Sequence, residues 1–79
     1  MDKKLVALLA GVFNLREADI TPTLTKDDVD NWDSLKHMDL IVTLEREYNI
    51  MLEITDIVSM VSVESIEKVL QSKGVSIGS

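Results

Sequence analysis

The stretch NWDSLKHMDL, residues 31–40, brings together side chains that can do chemistry. Ser34 and His37 lie one helical turn apart, with Asp33 and Asp39 close by, which are the residue types of a serine nucleophile with its base and acid. A working triad also needs an imidazole oriented on the serine, a buried carboxylate behind it and an oxyanion hole. Because the stretch has no Gly-rich turn and little fold around it, we predict no catalysis and expect His37 to be solvent-facing or partly covered.

A calcium site is the second chemistry that the acids of this region suggest. Counted from Asp28, acidic residues recur at Asp30 and Asp39, which correspond to the first, third and twelfth positions of a calcium-binding loop. The fifth position is Trp32, and the sixth, which needs glycine for a sharp turn, is Asp33. The calcium-loop pattern therefore fails at the sixth position, where the geometry of the loop is strictest. Since the chain also has no cysteine, we predict no metal site.

Ser34 stands where a helical pattern begins, and two further roles are open to it. Serine and aspartate are both good N-caps, so either Asp33 or Ser34 could cap the helix. A serine at a helix N-terminus is also well placed to carry a phosphodiester, because the unpaired N–H groups and the helix dipole favour negative charge there. The residues alone leave capping and covalent modification both open.

Four helices would position these residues. Apolar residues recur at helical spacing in three segments, and a shorter β-branched segment predicts one helix more: roughly 2–13, 34–48, 63–72 and, for the short one, 54–60. Asn14 and Asn49 are suited to end the first two helices. The segment 14–33 predicts a long ordered loop whose apolar residues attach it to the core: Leu15, Ile20, Leu24 and Val29. The Gly/Ser-rich tail, 73–79, is expected to be frayed. We predict one all-α domain over residues 1–79, a small four-helix bundle with a long loop between helices 1 and 2.

The helix over 34–48 carries more apolar surface than burial in so small a core requires. At ~100° per residue, one side holds Leu40, Ile41, Leu44 and Tyr48. A second side holds what we call the apolar stripe, which consists of Leu35, Met38 and Val42, with Asp39 and Glu45 at its edges. Loop residues 15–30 could cover this stripe, which would then be core. We favour the alternative that the stripe is an exposed docking face for a partner.

Charge narrows the class of partner. The chain has fourteen acidic and eight basic residues, a net charge of −6, and nine of the acids but only two of the bases fall within 27–56. Nucleic acid would be repelled by such a surface, whereas partners with basic patches would be attracted. No apolar stretch approaches the ~18 residues of a membrane span, and no signal-peptide pattern opens the chain. We therefore expect a cytoplasmic protein that does not insert into membranes.

The segment NWDSLKHMDLIVTLEREYNI resembles the prosthetic-group segment of acyl carrier proteins. Asp33, Ser34 and Leu35 match the Asp-Ser-Leu motif of that family. Further residues follow at the spacing of the family's second helix: Asp39, Leu40, Leu44, Glu45, Glu47 and Tyr48. The predicted order of helices and loop extends the resemblance over nearly the whole chain.

The resemblance implies that Ser34 Oγ carries 4′-phosphopantetheine, which a magnesium-dependent phosphopantetheinyl transferase takes from coenzyme A. The thiol of that arm would hold acyl groups as thioesters, and the chain itself, expected to be a monomer, would catalyse nothing. Partner enzymes with basic patches would then meet the second helix. By this analogy the apolar contact comes from Leu35, Met38 and Val42, and the steering charge from Asp33, Asp39, Glu45 and Glu47.

Several residues depart from common fatty-acid carriers. Asn31 and Trp32 replace a Gly-containing turn, and Trp32 is expected to pack the loop against the helix. Lys36 and His37 stand where common fatty-acid carriers are often acidic or small and polar, and Arg46 interrupts what is often an acidic run. A specialised carrier for polyketide synthesis, lipid modification or another secondary pathway therefore fits at least as well as a housekeeping fatty-acid carrier. The alternative from another class is an unmodified acidic helical adaptor that binds a partner through the apolar stripe.

Overall fold

The computed structural model describes residues 2–77 and confirms the all-α prediction. Four α-helices follow one another, and no strand occurs among the described residues: α1 is Lys3–Phe13, α2 is Ser34–Tyr48, α3 is Ile54–Ser59 and α4 is Val63–Ser72. Their order, with a long connection between α1 and α2, is that of the small helical bundle predicted from the sequence. Within residues 2–77, none of the helices is both long and apolar enough to cross a lipid bilayer.

Side chains at the helix ends explain where the first two helices begin and stop. Asp2 is the N-cap of α1 and accepts a hydrogen bond from Leu5 N at 3.0 Å, so the helix begins one residue later than predicted. Asn14 and Asn49 end α1 and α2 in the left-handed conformation, with φ angles of 56° and 53°. Asparagine enters this region more readily than most residues with a side chain, which is why both helices stop there.

The long segment between α1 and α2 is ordered by two short 3-10 turns, Glu17–Asp19 and Lys26–Asp28. Thr25 forms an isolated antiparallel bridge with Ser62, the residue that caps α4. The apolar loop residues pack against the helices as predicted, two of them fully within the core: Ile20 and Val29, with Leu15 and Leu24 at its edge. The loop is therefore fixed to the core and to the start of α4.

The core lies between α1, α2 and α4. Sixteen described apolar residues are buried there, and none of them belongs to α3, whose six residues all remain at least partly exposed. The Phe13 and Trp32 rings pack together at the loop end of this core, with centroids 4.5 Å apart. Because α3 buries so little, polar contacts with α2 and with the end of α4 help to hold it in place.

The C-terminal segment corrects one expectation. The predicted frayed tail is packed over its first residues, since Val75 N donates to Leu70 O at 3.0 Å and the Val75 and Ile77 side chains lie against the core. A turn at Gly74, with φ of 85°, lets the chain fold back in this way. The prediction was wrong here because two apolar residues after the glycine return to the core. Residues 78 and 79 lie outside the described part of the chain.

Candidate functional site

Asp33, and not Ser34, caps α2, which resolves the choice that the sequence left open. Asp33 Oδ1 accepts a hydrogen bond from Lys36 N at 2.8 Å, and Ser34 is the first residue of the helix. Ser34 is exposed, and no residue between 2 and 77 hydrogen-bonds to its hydroxyl. A solvent-accessible hydroxyl thus stands at the N-terminus of a fifteen-residue helix.

Both ring nitrogens of His37 are engaged away from Ser34. Trp32 Nε1 donates to His37 Nδ1 at 3.0 Å, and His37 Nε2 lies 2.8 Å from Ile57 O. An indole N–H only donates and a carbonyl only accepts, so Nδ1 is the acceptor and Nε2 carries the proton. Neither nitrogen is available to Ser34 as a general base, which agrees with the prediction that this stretch has no triad.

The contact between His37 and Ile57 was not predicted from the sequence. His37 is partly buried and Trp32 is 3% exposed, so both match their expected environments. However, Ile57 lies twenty residues further along the chain, and no local pattern marks the pairing. The one available signal was the placement of Trp32 and His37 on either side of a helix start.

The apolar stripe of α2 is exposed, so the loop does not cover it. Leu35 is 84% exposed, Met38 51% and Val42 52%. On α3, Ile54 and Val58 are also exposed, which places further apolar side chains on the neighbouring helix. The stripe begins at the residue next to Ser34. An apolar surface exposed to this extent is typical of a contact site.

The acids expected around the stripe lie on two different sides of it. Asp39 and Glu47 line a groove between α1 and α2. Glu45 faces the other way, since its Oε2 accepts a hydrogen bond from Leu52 N at 2.9 Å in the connection to α3. The structure therefore groups the three apolar residues together and divides the acids between the two flanks.

The arrangement at the start of α2 fits a covalently attached anion better than a metal ion. Within residues 2–77, no three or more His, Asp or Glu side chains gather where they could hold a metal, and Asp28 instead accepts hydrogen bonds at 3.0 Å from Thr25 N and Oγ1. The unengaged hydroxyl of Ser34 leaves room for a phosphodiester. The first N–H groups and the dipole of α2 favour its negative charge.

Comparison with known proteins identifies the family. The family model of the phosphopantetheine attachment site matches residues 3–70, which is most of the chain. Among solved structures, the holo acyl carrier protein from Geobacter metallireducens has the same fold, with a TM-score of 0.79 and 30% sequence identity. That match covers 89% of this chain and 80% of the other. The search of curated proteins found no match.

Three kinds of observation now agree. The chain is an all-α bundle of the acyl carrier type, its exposed Ser34 fits a phosphodiester and lacks a catalytic base, and the family model extends over nearly all of it. The chain therefore belongs to the acyl carrier protein family, whose members are non-catalytic carriers with a covalently attached phosphopantetheine.

Proposed function

We propose that 4′-phosphopantetheine is attached to Ser34 through a phosphodiester, and that the chain presents acyl thioesters on this arm to partner enzymes. The observation that supports this most is the Ser34 hydroxyl, which is exposed at the first residue of α2 and has no hydrogen-bond partner among residues 2–77. Asp33 supplies the helix cap, so modification of Ser34 would cost the helix no capping bond.

The residues around Ser34 have separate tasks in this proposal. Asp33 fixes the start of α2 through its 2.8 Å bond to Lys36 N and so holds the serine outside the capping contact. Leu35 begins the apolar stripe, so a partner that binds the stripe places its own active site beside the modified serine. When attached, the arm supplies a thiol that holds acyl groups as thioesters. As in other acyl carrier proteins, the partners are a phosphopantetheinyl transferase and acyl-handling enzymes.

The acids on the two flanks of the stripe would steer these partners. Charges at the rim of an interface chiefly raise the association rate, and salt screens them over about 8 Å at physiological ionic strength. We propose that the carrier is a cytoplasmic monomer that serves fatty-acid, polyketide or specialised lipid synthesis. We also propose that Asp39, Glu45 and Glu47 steer enzymes with basic patches in this way. The exposed α2 stripe and the net charge of −6 support the steering role of these acids.

Mass spectrometry tests the attachment site. The purified chain is incubated with coenzyme A, magnesium and a broad-specificity phosphopantetheinyl transferase. We expect the mass to rise by one phosphopantetheine, the Ser34→Ala variant to gain nothing, and the Ser76→Ala variant, which changes another exposed serine, to be modified like the wild type. Modification of Ser34→Ala would place the arm elsewhere and refute the proposal.

The same experiment separates the carrier from the unmodified adaptor. An adaptor would use the apolar stripe to bind a partner helix and would gain no mass from the transferase. The exposed stripe alone fits both functions. The family match over residues 3–70 favours the carrier, because it concerns the attachment of the arm and not the binding of a helix.

A further inference from the structure

A chain of two hydrogen bonds runs from the loop through α2 to α3. Trp32 Nε1 donates to His37 Nδ1 at 3.0 Å, and His37 Nε2 donates to Ile57 O at 2.8 Å. We call Trp32, His37 and the Ile57 carbonyl the indole–imidazole relay. The relay requires a neutral imidazole with its proton on Nε2, since any other protonation state sets two donors or two acceptors against each other.

The relay encloses the segment that contains Ser34. Trp32 lies two residues before the serine and His37 three residues after it, so their hydrogen bond closes a short loop around the helix start. Asp33 adds a second closure inside it through Lys36 N. The Trp32 indole is nearly fully buried and packs on Phe13. The start of α2, where Ser34 lies, is therefore connected to the core through Trp32.

The other end of the relay is the Ile57 carbonyl in α3, a helix that makes few other polar contacts with α2. None of its residues is buried. Its described polar contact on the other side is with the end of α4, where Lys73 Nζ lies 2.9 Å from Asp56 Oδ2. In the described part of the chain, the bond from His37 to Ile57 O is the side-chain hydrogen bond that joins α2 to α3. Removing it leaves α3 positioned by the Ile57 side chain against the core and by the Asp56–Lys73 contact, with no side-chain hydrogen bond to α2.

We propose that His37 is a positioning residue that fixes α3 relative to the Ser34 turn, so that the apolar stripe and the exposed Ile54 and Val58 of α3 form one docking face for the phosphopantetheinyl transferase that modifies Ser34. This inference rests on the proposed function, because the face matters only if the transferase must reach Ser34. His37 touches neither the arm nor a reacting atom in this proposal. It acts through Ile57, and its loss changes how well partners bind.

Nuclear magnetic resonance of the wild-type chain tests the relay without any substitution. Nitrogen chemical shifts of the imidazole distinguish the two neutral tautomers and the charged form, and Trp32 supplies the single indole N–H signal of the chain. We expect the Nε2–H tautomer at pH 7.5 and an indole N–H signal that shows a hydrogen bond to Nδ1. An imidazole with its proton on Nδ1 at pH 7.5 would overturn the proposal.

Two variants then test the positioning role in the modification reaction. His37→Gln keeps an acceptor and a donor on one planar group, whereas His37→Phe keeps a ring and removes both nitrogens. For His37→Phe we expect the KM of the transferase for the chain to rise about three- to tenfold, the equivalent of one hydrogen bond, with kcat unchanged. His37→Gln should remain close to the wild type, and amide exchange in α3 should accelerate in the Phe variant alone.

A core substitution controls for lost stability. Val69→Ala removes buried volume from α4 and leaves the relay intact, so it should lower the unfolding midpoint without raising the transferase KM. A His37→Phe KM equal to that of the wild type would overturn the proposal while the attachment at Ser34 stands. If the wild type gains no phosphopantetheine, the proposed function and the docking role fail together, and the resonance data still decide whether the relay exists.

Discussion

Of the two adjacent residues Asp33 and Ser34, one caps α2 and the other keeps its hydroxyl unengaged. Both are good N-caps by type, but the Asp33 carboxylate makes the capping bond and the Ser34 hydroxyl remains unengaged. A serine that capped its own helix would lose that bond on modification. With the cap on Asp33, Ser34 can be modified while α2 keeps its start.

This division predicts a stability effect at Asp33. Asp33→Ala leaves Lys36 N without its partner and should lower the free energy of unfolding by about 1 kcal/mol. Asp33→Asn should retain most of that stability, because asparagine caps as well as aspartate. Urea unfolding measures both, with Asp30→Ala as the control at an exposed acid outside the cap. A loss of equal size in Asp30→Ala would mean that the charge of the segment, and not the cap, is responsible.

At this scale the sequence predicted residue types well and hydrogen-bond partners poorly. The family motif identified Ser34 as the attachment candidate, and Trp32 packs the loop against the helix as expected. The capping choice stayed open because side-chain chemistry does not distinguish two good caps in adjacent positions. The roles of His37 and Glu45 depend on contacts with Ile57 and Leu52 across the tertiary fold, and the helical period contains no information on these.

At the scale of elements, helix α3 is attached to the bundle through Asp56 and Ile57 in its middle. Glu53 N and Lys73 Nζ both donate to Asp56 Oδ2, at 3.0 and 2.9 Å. The backbone N–H of Glu53 is the larger cause and the Lys73 ammonium the second, and together they lower the pKa of Asp56 below its ordinary value of 3.8. The same contact raises the pKa of Lys73.

A lowered carboxyl pKa gives a definite pH dependence. The stabilisation is fully present above pH 3.8, the ordinary value, and is lost as the pH falls through the lower folded value. Asp56→Asn cannot ionise, so the variant should be less stable than the wild type at pH 6, and the difference should shrink as the pH falls below 3.8. Urea unfolding at both ends of this range measures it. A difference that stays constant with pH would show that Asp56 acts without its charge, and Asp27→Asn, at an exposed acid, provides the background.

The elements that bury a regular apolar face were the ones that the sequence predicted best. Helices α1, α2 and α4 each contribute several residues to the core, and their helical spacing is visible in the letters alone. Helix α3 has no fully buried residue, and only Ile57 among its apolar residues packs partly against the core. Its sequence therefore carries no clear period. The packed segment after α4 was missed for a related reason, since two apolar residues beside a glycine are too few to form a pattern.

For the molecule as a whole, the apolar residues fall into two groups, those buried in the core and those exposed on the surface. Val63 is fully buried between the helices, whereas Val42 is 52% exposed on α2. Burial of a methyl group contributes to stability in the first position, and in the second we propose that the methyl groups contact a partner. Composition cannot make this distinction, because both residues are valine in a helix.

The same substitution at these two sites should therefore have opposite effects. Val63→Ala removes two buried carbons and should lower the free energy of unfolding by about 1–3 kcal/mol, with little change in the KM of the transferase. Val42→Ala should change stability by no more than about 0.5 kcal/mol, since alanine is also the better helix former. It should, however, raise that KM about three- to tenfold, because a docking partner loses the same two carbons. Urea unfolding and transferase kinetics on both variants measure the two effects. An unchanged KM for Val42→Ala would mean that the transferase does not use the stripe, while a large stability loss would mean that the stripe is part of the core after all.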